Sequence, residues 1–187
     1  MLLILLAQFV VAQGSPFALA AGSRLWIEGD SNLHPWSCKA TALEVSVDVD
    51  AESAQIARGL TVRVPVAGLE CGDGHMNDKL RDAMKADAHP IIEYKLISAE
   101  RLPGEATKLK ATGALTIAGK TREVTFVVDA ALAGDGSAQA AGAVPISMTD
   151  YGVQPPTALL VLKTYDLVTV KFDIRVMPHL QPHASQP

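Results

Sequence analysis

The sequence predicts an all-β fold, an eight-stranded antiparallel up-and-down barrel with one short α-helix at its rim. Three observations predict it. Apolar and polar residues alternate with period two about eight times along the chain. Several of these runs are seven to eleven residues long, and connections such as Ala118-Gly119-Lys120 and Gly134-Asp135-Gly136 are short enough for hairpins. Only one segment has helical spacing. Each run shows one apolar and one wet face, as an antiparallel sheet around a single interior does. Long open edges would invite pairing with other chains, and closure removes them. A sandwich shares this periodicity, and alternation alone does not separate the two.

The runs follow in order. Residues 25–28 open the series, and Leu43, Val45, Val47 and Val49 then alternate with Glu44, Ser46, Asp48 and Asp50. Next come Leu60, Val62, Val64 and Val66, then Ile92, Tyr94 and Leu96. Residues 109–117, 124–130, 138–148 and 168–176 complete the set. Over residues 74–88 the apolar Met76, Leu80, Ala83 and Met84 fall at helical spacing, with Asp73 placed to cap the start and Pro90 beyond the end. The helix lies over one rim, and its methionines read as packing rather than a ligand lid. Pro155 and Pro156 forbid a central strand where they stand, and the apolar run at 157–162 is expected to pack down.

Residues 1–20 carry no charged side chain, and positions 2–12 are almost uniformly apolar. That run is about half of what a helix needs to cross a bilayer. Ala18-Leu19-Ala20 supplies the small-x-small pattern cut by signal peptidase. The expected organisation is a signal peptide at 1–20, a barrel domain at 21–177 and a disordered, Pro-rich tail at 178–187. The expected compartment is periplasmic or secreted, with no membrane span. A net charge of −4 and a pI near 5.7 argue against a nucleic-acid partner, which needs a basic stripe. At 49% hydrophobic and 19% charged, the chain is no disordered polymer.

Cys38 and Cys71 admit three readings: a bridge, two free thiols, or a zinc site completed by His34 and His75. An oxidising compartment and the absence of knuckle spacing favour the bridge. Spanning 33 positions, it would contribute about 3–4 kcal/mol by loop entropy. No metal site is assigned.

Chemistry is otherwise missing. The chain has no G-x-S-x-G, no H-E-x-x-H, no Walker loop and no dinucleotide fingerprint. Asp78, Arg81 and Asp82 read as surface ion pairs, and His89 as packing beside Pro90. No catalytic residue is assigned and no enzyme is expected. The expected interior instead contains Ala111, Gly113, Ala130, Ala138, Ala140 and Gly142, with Phe126, Phe172 and Tyr94 as its bulky members. An eight-stranded barrel is wide enough for one ligand when its interior residues are small.

Several segments carry a resemblance in their order and spacing: Ser31-Asn32-Leu33-His34-Pro35-Trp36, Pro90-Ile91-Ile92-Glu93-Tyr94, Met148-Thr149-Asp150-Tyr151-Gly152-Val153, and above all Gly113 through Val124, GALTIAGKTREV. Together they resemble the YceI-like family of exported, lipocalin-like polyisoprenoid-binding proteins, from about Trp26 to Val176. The resemblance implies a barrel with a helix at one end, a hydrophobic tunnel, and binding of a polyisoprenoid chain or quinone tail without catalysis. His34-Pro35-Trp36 with the two cysteines looks like a distinct branch of that family.

Alternation alone places the ligand-binding lumen positions: Val45, Val47, Val62, Val64, Tyr94, Leu115, Phe126, Val128, Met148, Val170 and Phe172. The expected partner is an apolar lipid, and no cofactor is expected beyond a bound isoprenoid lipid or quinone. The alternative is a ligand-free structural module presenting its helix rim to a second copy or to an envelope protein.

Overall fold

The computed structural model describes residues 17–47, 59–158 and 162–178. The alternating runs build strands β1 (Phe17–Leu19), β2 (Arg24–Ser31), β3 (Trp36–Ala40), β4 (Glu44–Ser46), β5 (Thr61–Pro65) and β6 (Leu69–Glu70). After helix α1 (Gly74–Ala83) come β7 (Ile91–Arg101), β8 (Lys108–Ile117), β9 (Lys120–Leu132), β10 (Ala138–Ser147), β11 (Thr157–Ala158) and β12 (Leu162–Pro178). All pairings are antiparallel, in the order β4-β5-β7-β8-β9-β10-β12-β2-β3-β6, with β1 and β11 both laid against β12.

The described residues thus give twelve strands where the sequence predicts eight. The physical reason is a corner. Strands β3 and β4 are two halves of one stave interrupted at 41–43, and β5 and β6 are two halves of the next, interrupted by a 3-10 turn at Val66–Gly68. Pro65 cannot donate to a ladder, so the pairing breaks there. Val66 N turns instead to Pro90 O at 2.8 Å. The two staves stay joined at the corner because Thr41 N and Oγ1 both donate to Gly68 O, at 2.8 and 2.9 Å. Counted as staves, the curled sheet has the expected eight, with β1 and β11 as additions.

The β8–β9 hairpin closes directly from Ile117 to Lys120. Both loop residues have positive φ, Ala118 at 48° and Gly119 at 78°, the mirror-image turn that matches strand twist. A side chain at 119 would strike the His89 ring, so His89 packs on this turn.

Helix α1 starts as predicted: Asp73 Oδ1 accepts from Met76 N at 2.8 Å. It ends five residues earlier than the expected 88, at Ala83. Lys85 takes the left-handed conformation (φ 53°), Ala86 N donates to Arg81 O and Lys85 N to Asp82 O, both at 3.0 Å. This is a Schellman stop built on lysine where glycine is usual. Beyond it, residues 84–88 turn back toward β7. Met84 is thereby buried with Val64, Val66 and Leu69, while Leu80 packs beside them. The helix closes one end of the curled sheet.

A second cluster gathers Leu115, Val144, Ile146, Tyr151, Val153 and Val168 next to that end. Met148, expected in a strand, begins a 3-10 turn that ends at Tyr151 before a left-handed Gly152. Residues 1–16 and 179–187, which hold most of the expected signal peptide and tail, lie outside the described residues, as do 48–50 and 159–161. Phe17–Leu19 of the expected signal segment form β1, paired with residues 176–178 of β12.

Candidate functional site: an apolar lumen

The inward faces of the staves enclose a cavity of about 930 Å³. Its walls are aliphatic because alternation sends Val, Leu, Ile and Ala inward from every long strand. The charged partners stand outside: Glu93 bonds Lys95 Nζ at 2.7 Å and Arg63 Nε at 2.8 Å, and Glu28 bonds Lys171 Nζ at 2.7 Å. Hydrogen bonds from those cations hold both carboxyls below the usual carboxylate range.

All eleven positions assigned to the lumen from alternation line this one cavity, including Val47 beyond the end of β4 and Met148 in its 3-10 turn. Leu80, Met84 and Leu69 line it at the helix end. Three rings form a continuous wall: Tyr94 and Phe126 lie 5.7 Å apart, tilted at 53°, and Phe126 and Phe172 lie 6.0 Å apart, edge to face at 76°. Edge-to-face contacts of this kind fix ring positions.

Two of the small interior residues do not leave the space expected of them. A side chain on Gly113 would run into the Tyr94 ring, and one on Gly142 would stand 2.7 Å from Phe172 Cζ. Those glycines are seats for rings reaching across from neighbouring strands. The open wall comes instead from Ala111, Ala130, Ala138 and Ala140, all of which line the cavity.

The Tyr94 hydroxyl is buried with no hydrogen-bond partner among the described residues, and burial pushes its pKa from 10.0 up to about 12. A raised tyrosine pKa keeps the proton on the folded form. That contribution to stability is complete below pH 10 and lost as pH climbs toward about 12. Tyr94→Phe removes an unsatisfied buried hydroxyl, so stability at pH 7 is expected to stay level or rise by up to about 1 kcal/mol. The variant's alkaline unfolding midpoint is expected to move upward. Denaturant titrations at neutral and alkaline pH check both; a loss above about 1 kcal/mol at pH 7 would mean that the hydroxyl is partnered.

Cys38 and Cys71 form a disulfide, with S–S 1.98 Å. The bridge ties β3 to the residue after β6, beside the corner of the sheet. Neither sulfur is then a free thiol or a zinc thiolate, which ends the two other readings. His34 Nδ1 lies 3.0 Å from Pro35 O, and Arg81 pairs with Asp78 at 3.2 Å on the exposed helix face.

Sequence reasoning missed the polar lining residues Thr107 and Gln139 and the charged one, Arg101. Strand β7 alternates inward through Tyr94 and Leu96, then its register slips between Leu96 and Ser98. The bulge inverts the parity. Ile97 is left outside at 59% exposure, while Ala99 and Arg101 turn onto the lumen. The available signal was the doublet Leu96-Ile97, two adjacent apolar residues in an otherwise alternating strand.

Comparison with solved structures returns the same architecture. A crystal structure of Burkholderia cenocepacia BcnA superposes with a TM-score of 0.69 at 23% identity, covering 83% of this chain and 96% of that one. A polyisoprenoid binding domain from Saccharophagus degradans, implicated in plant cell wall breakdown, gives 0.71 at 13% identity, covering 88% and 99%. The Campylobacter jejuni YCEI protein gives 0.59 at 19%, covering 74% and 82%. At such identities the likeness is one of fold. Comparison with curated proteins returned no match. The model of the YceI-like domain matches residues 22–176, nearly the whole described chain, and the chain belongs to that family.

Proposed function

We propose that this chain is an exported, non-catalytic binding protein that holds a long apolar ligand, a polyisoprenoid or the isoprenoid tail of a quinone, along its lumen. The observation that carries this reading is the 930 Å³ cavity with an almost wholly aliphatic and aromatic wall. A module without a ligand would need its own side chains to fill that space. Burial is worth about 0.8 kcal/mol per methylene, so one five-carbon isoprene unit gains up to about 4 kcal/mol. A few such units reach practical affinities once the costs of ordering the chain are subtracted. A fold relative described as a polyisoprenoid binding domain supports the ligand class. The residues proposed to touch the chain are the eleven lumen positions, with the Tyr94, Phe126 and Phe172 rings as its central contact.

Export rests on the apolar leader and its Ala18-Leu19-Ala20 site. Among the described residues no helix is long and apolar enough to cross a membrane. Cleavage after Ala20 removes β1 and leaves the last residues of β12 without that neighbour.

The test is organic extraction of the purified protein followed by mass spectrometry, with a parallel titration of lipid-free protein with a long-chain quinone. Recovery of an isoprenoid, or saturable uptake of the quinone, is the expected result. Protein that carries no lipid and takes up no quinone would overturn the reading.

A further inference from the structure

From the charged side chain on the lumen wall, we infer that the ligand enters tail first and carries an anionic head, a carboxylate or a phosphate, which pairs with Arg101 at the mouth. This inference rests on the lumen reading and adds the ligand's chemical class and polarity.

Among the described residues that line the cavity, Arg101 is the only charged one. It ends β7, nine residues along the strand from Ile92, which packs beside Met84 at the helix end. At the usual strand rise that separation is roughly 30 Å. The head and tail ends of the lumen are therefore chemically distinct. The helix end is closed by Leu69, Leu80 and Met84, while the far end brings Arg101, Thr107 and Gln139 to the wall.

The second observation is independent of the cavity. Six arginines lie among the described residues, and five of them reach a carboxylate: Arg24 to Asp173 at 3.4 Å, Arg63 to Glu93 at 2.8 Å, Arg81 to Asp78 at 3.2 Å, Arg122 to Asp150 at 3.6 Å and Arg175 to Asp173 at 3.9 Å. Arg101 has no such partner among them. Its Nη1 donates to Ala106 O in the following loop, which holds the guanidinium at the mouth. A guanidinium has five donors in a planar fork, so most remain for a bidentate anion. Among the described residues no carboxylate lines the cavity to compete for it.

The experiment compares neutral and anionic probes with the same tail: farnesol against farnesyl phosphate, and oleyl alcohol against oleate. Affinities are measured by displacement of a fluorescent fatty-acid analogue from the full chain and from its Arg101→Ala and Arg101→Gln variants. Glutamine keeps a donor for Ala106 O and removes only the charge, so it serves if alanine loosens the loop.

The unsubstituted protein is expected to bind the anionic member of at least one pair about tenfold more tightly, as suits a charge-assisted bond at a partly hydrated rim. Both variants should erase that preference and leave the alcohols unchanged. The phosphate and carboxylate arms then show which anion is preferred. Equal affinity within both pairs, or a preference that survives both variants, overturns the head assignment while the lumen reading stands. Failure of all four probes to bind overturns both.

Discussion

Ala130→Phe combined with Ala140→Phe is expected to abolish uptake of an isoprenoid chain without unfolding the protein. The two alanines are direct register partners on β9 and β10, and both line the lumen. Phenylalanines there would stand side by side on one wall and project together into the path of the ligand. Losing the seat of one isoprene unit forfeits about 4 kcal/mol, roughly a thousandfold in Kd. The folded state gains apolar contacts inside a cavity, where extra volume meets little resistance. The melting temperature should therefore hold or rise, and far-UV circular dichroism should be unchanged. Quinone titration checks the binding; Ala130→Leu with Ala140→Leu, a smaller insertion, should give an intermediate loss. A folded double phenylalanine variant that binds as tightly as the parent would place the ligand outside this lumen.

That prediction is possible because strand faces can be read from residue type. The parity of Val62 and Val64, or of Phe126 and Val128, is decided by the pleat, and a one-residue slip would put every valine into water. Burial enforces the pattern, so the order of residue types alone displays it. Features that depend on a neighbouring strand are not visible in this way. Gly113 and Gly142 look like gaps in a linear sequence; they become ring seats only once β7 and β12 lie alongside. The corner at 41–43 and Val66–Gly68 likewise belongs to two staves at once, with Thr41 and Gly68 far apart in sequence.

Helix α1 and strand β7 show where local rules gave way. The Asp73 cap was legible because side-chain capping uses few residue types. The stop at Lys85 was not, since the usual mark of a left-handed cap is glycine and none stands there. In β7 the bulge after Leu96 reverses the face of everything that follows it, so the alternation of Ile92, Tyr94 and Leu96 does not reveal that Arg101 reaches the lumen. The strand with the irregular register is thus the one that brings a charge to the lumen mouth. Bulges commonly re-aim a side chain beside a functional site.

Removing the bridge, by Cys38→Ser with Cys71→Ser or by reductant, is expected to cost about 3–4 kcal/mol of stability, because the disulfide closes a loop spanning 33 positions. For a domain of this size that is roughly a 10 °C fall in melting temperature. The loss should be uneven. Cys38 is buried on β3, and Cys71 follows β6, where its N–H is held by Asn77 Oδ1 of α1 at 2.7 Å. Between the bridge and the helix sits Leu69, fully buried against Met84 and Val66. The bridge therefore pins the short β6 half-stave, which has only two residues of ladder to hold it. Without that pin, hydrogen exchange should accelerate most in β6 and α1 and least in β8 and β9, whose ladder runs ten pairs. Thermal melts with and without reductant, and exchange measured by mass spectrometry, check the size and the place of the effect. Equal melting temperatures would show that Thr41, Gly68 and the packing of Leu69 hold the corner by themselves. A uniform rise in exchange would instead assign the bridge to the stability of the whole sheet rather than to the closed end of the lumen.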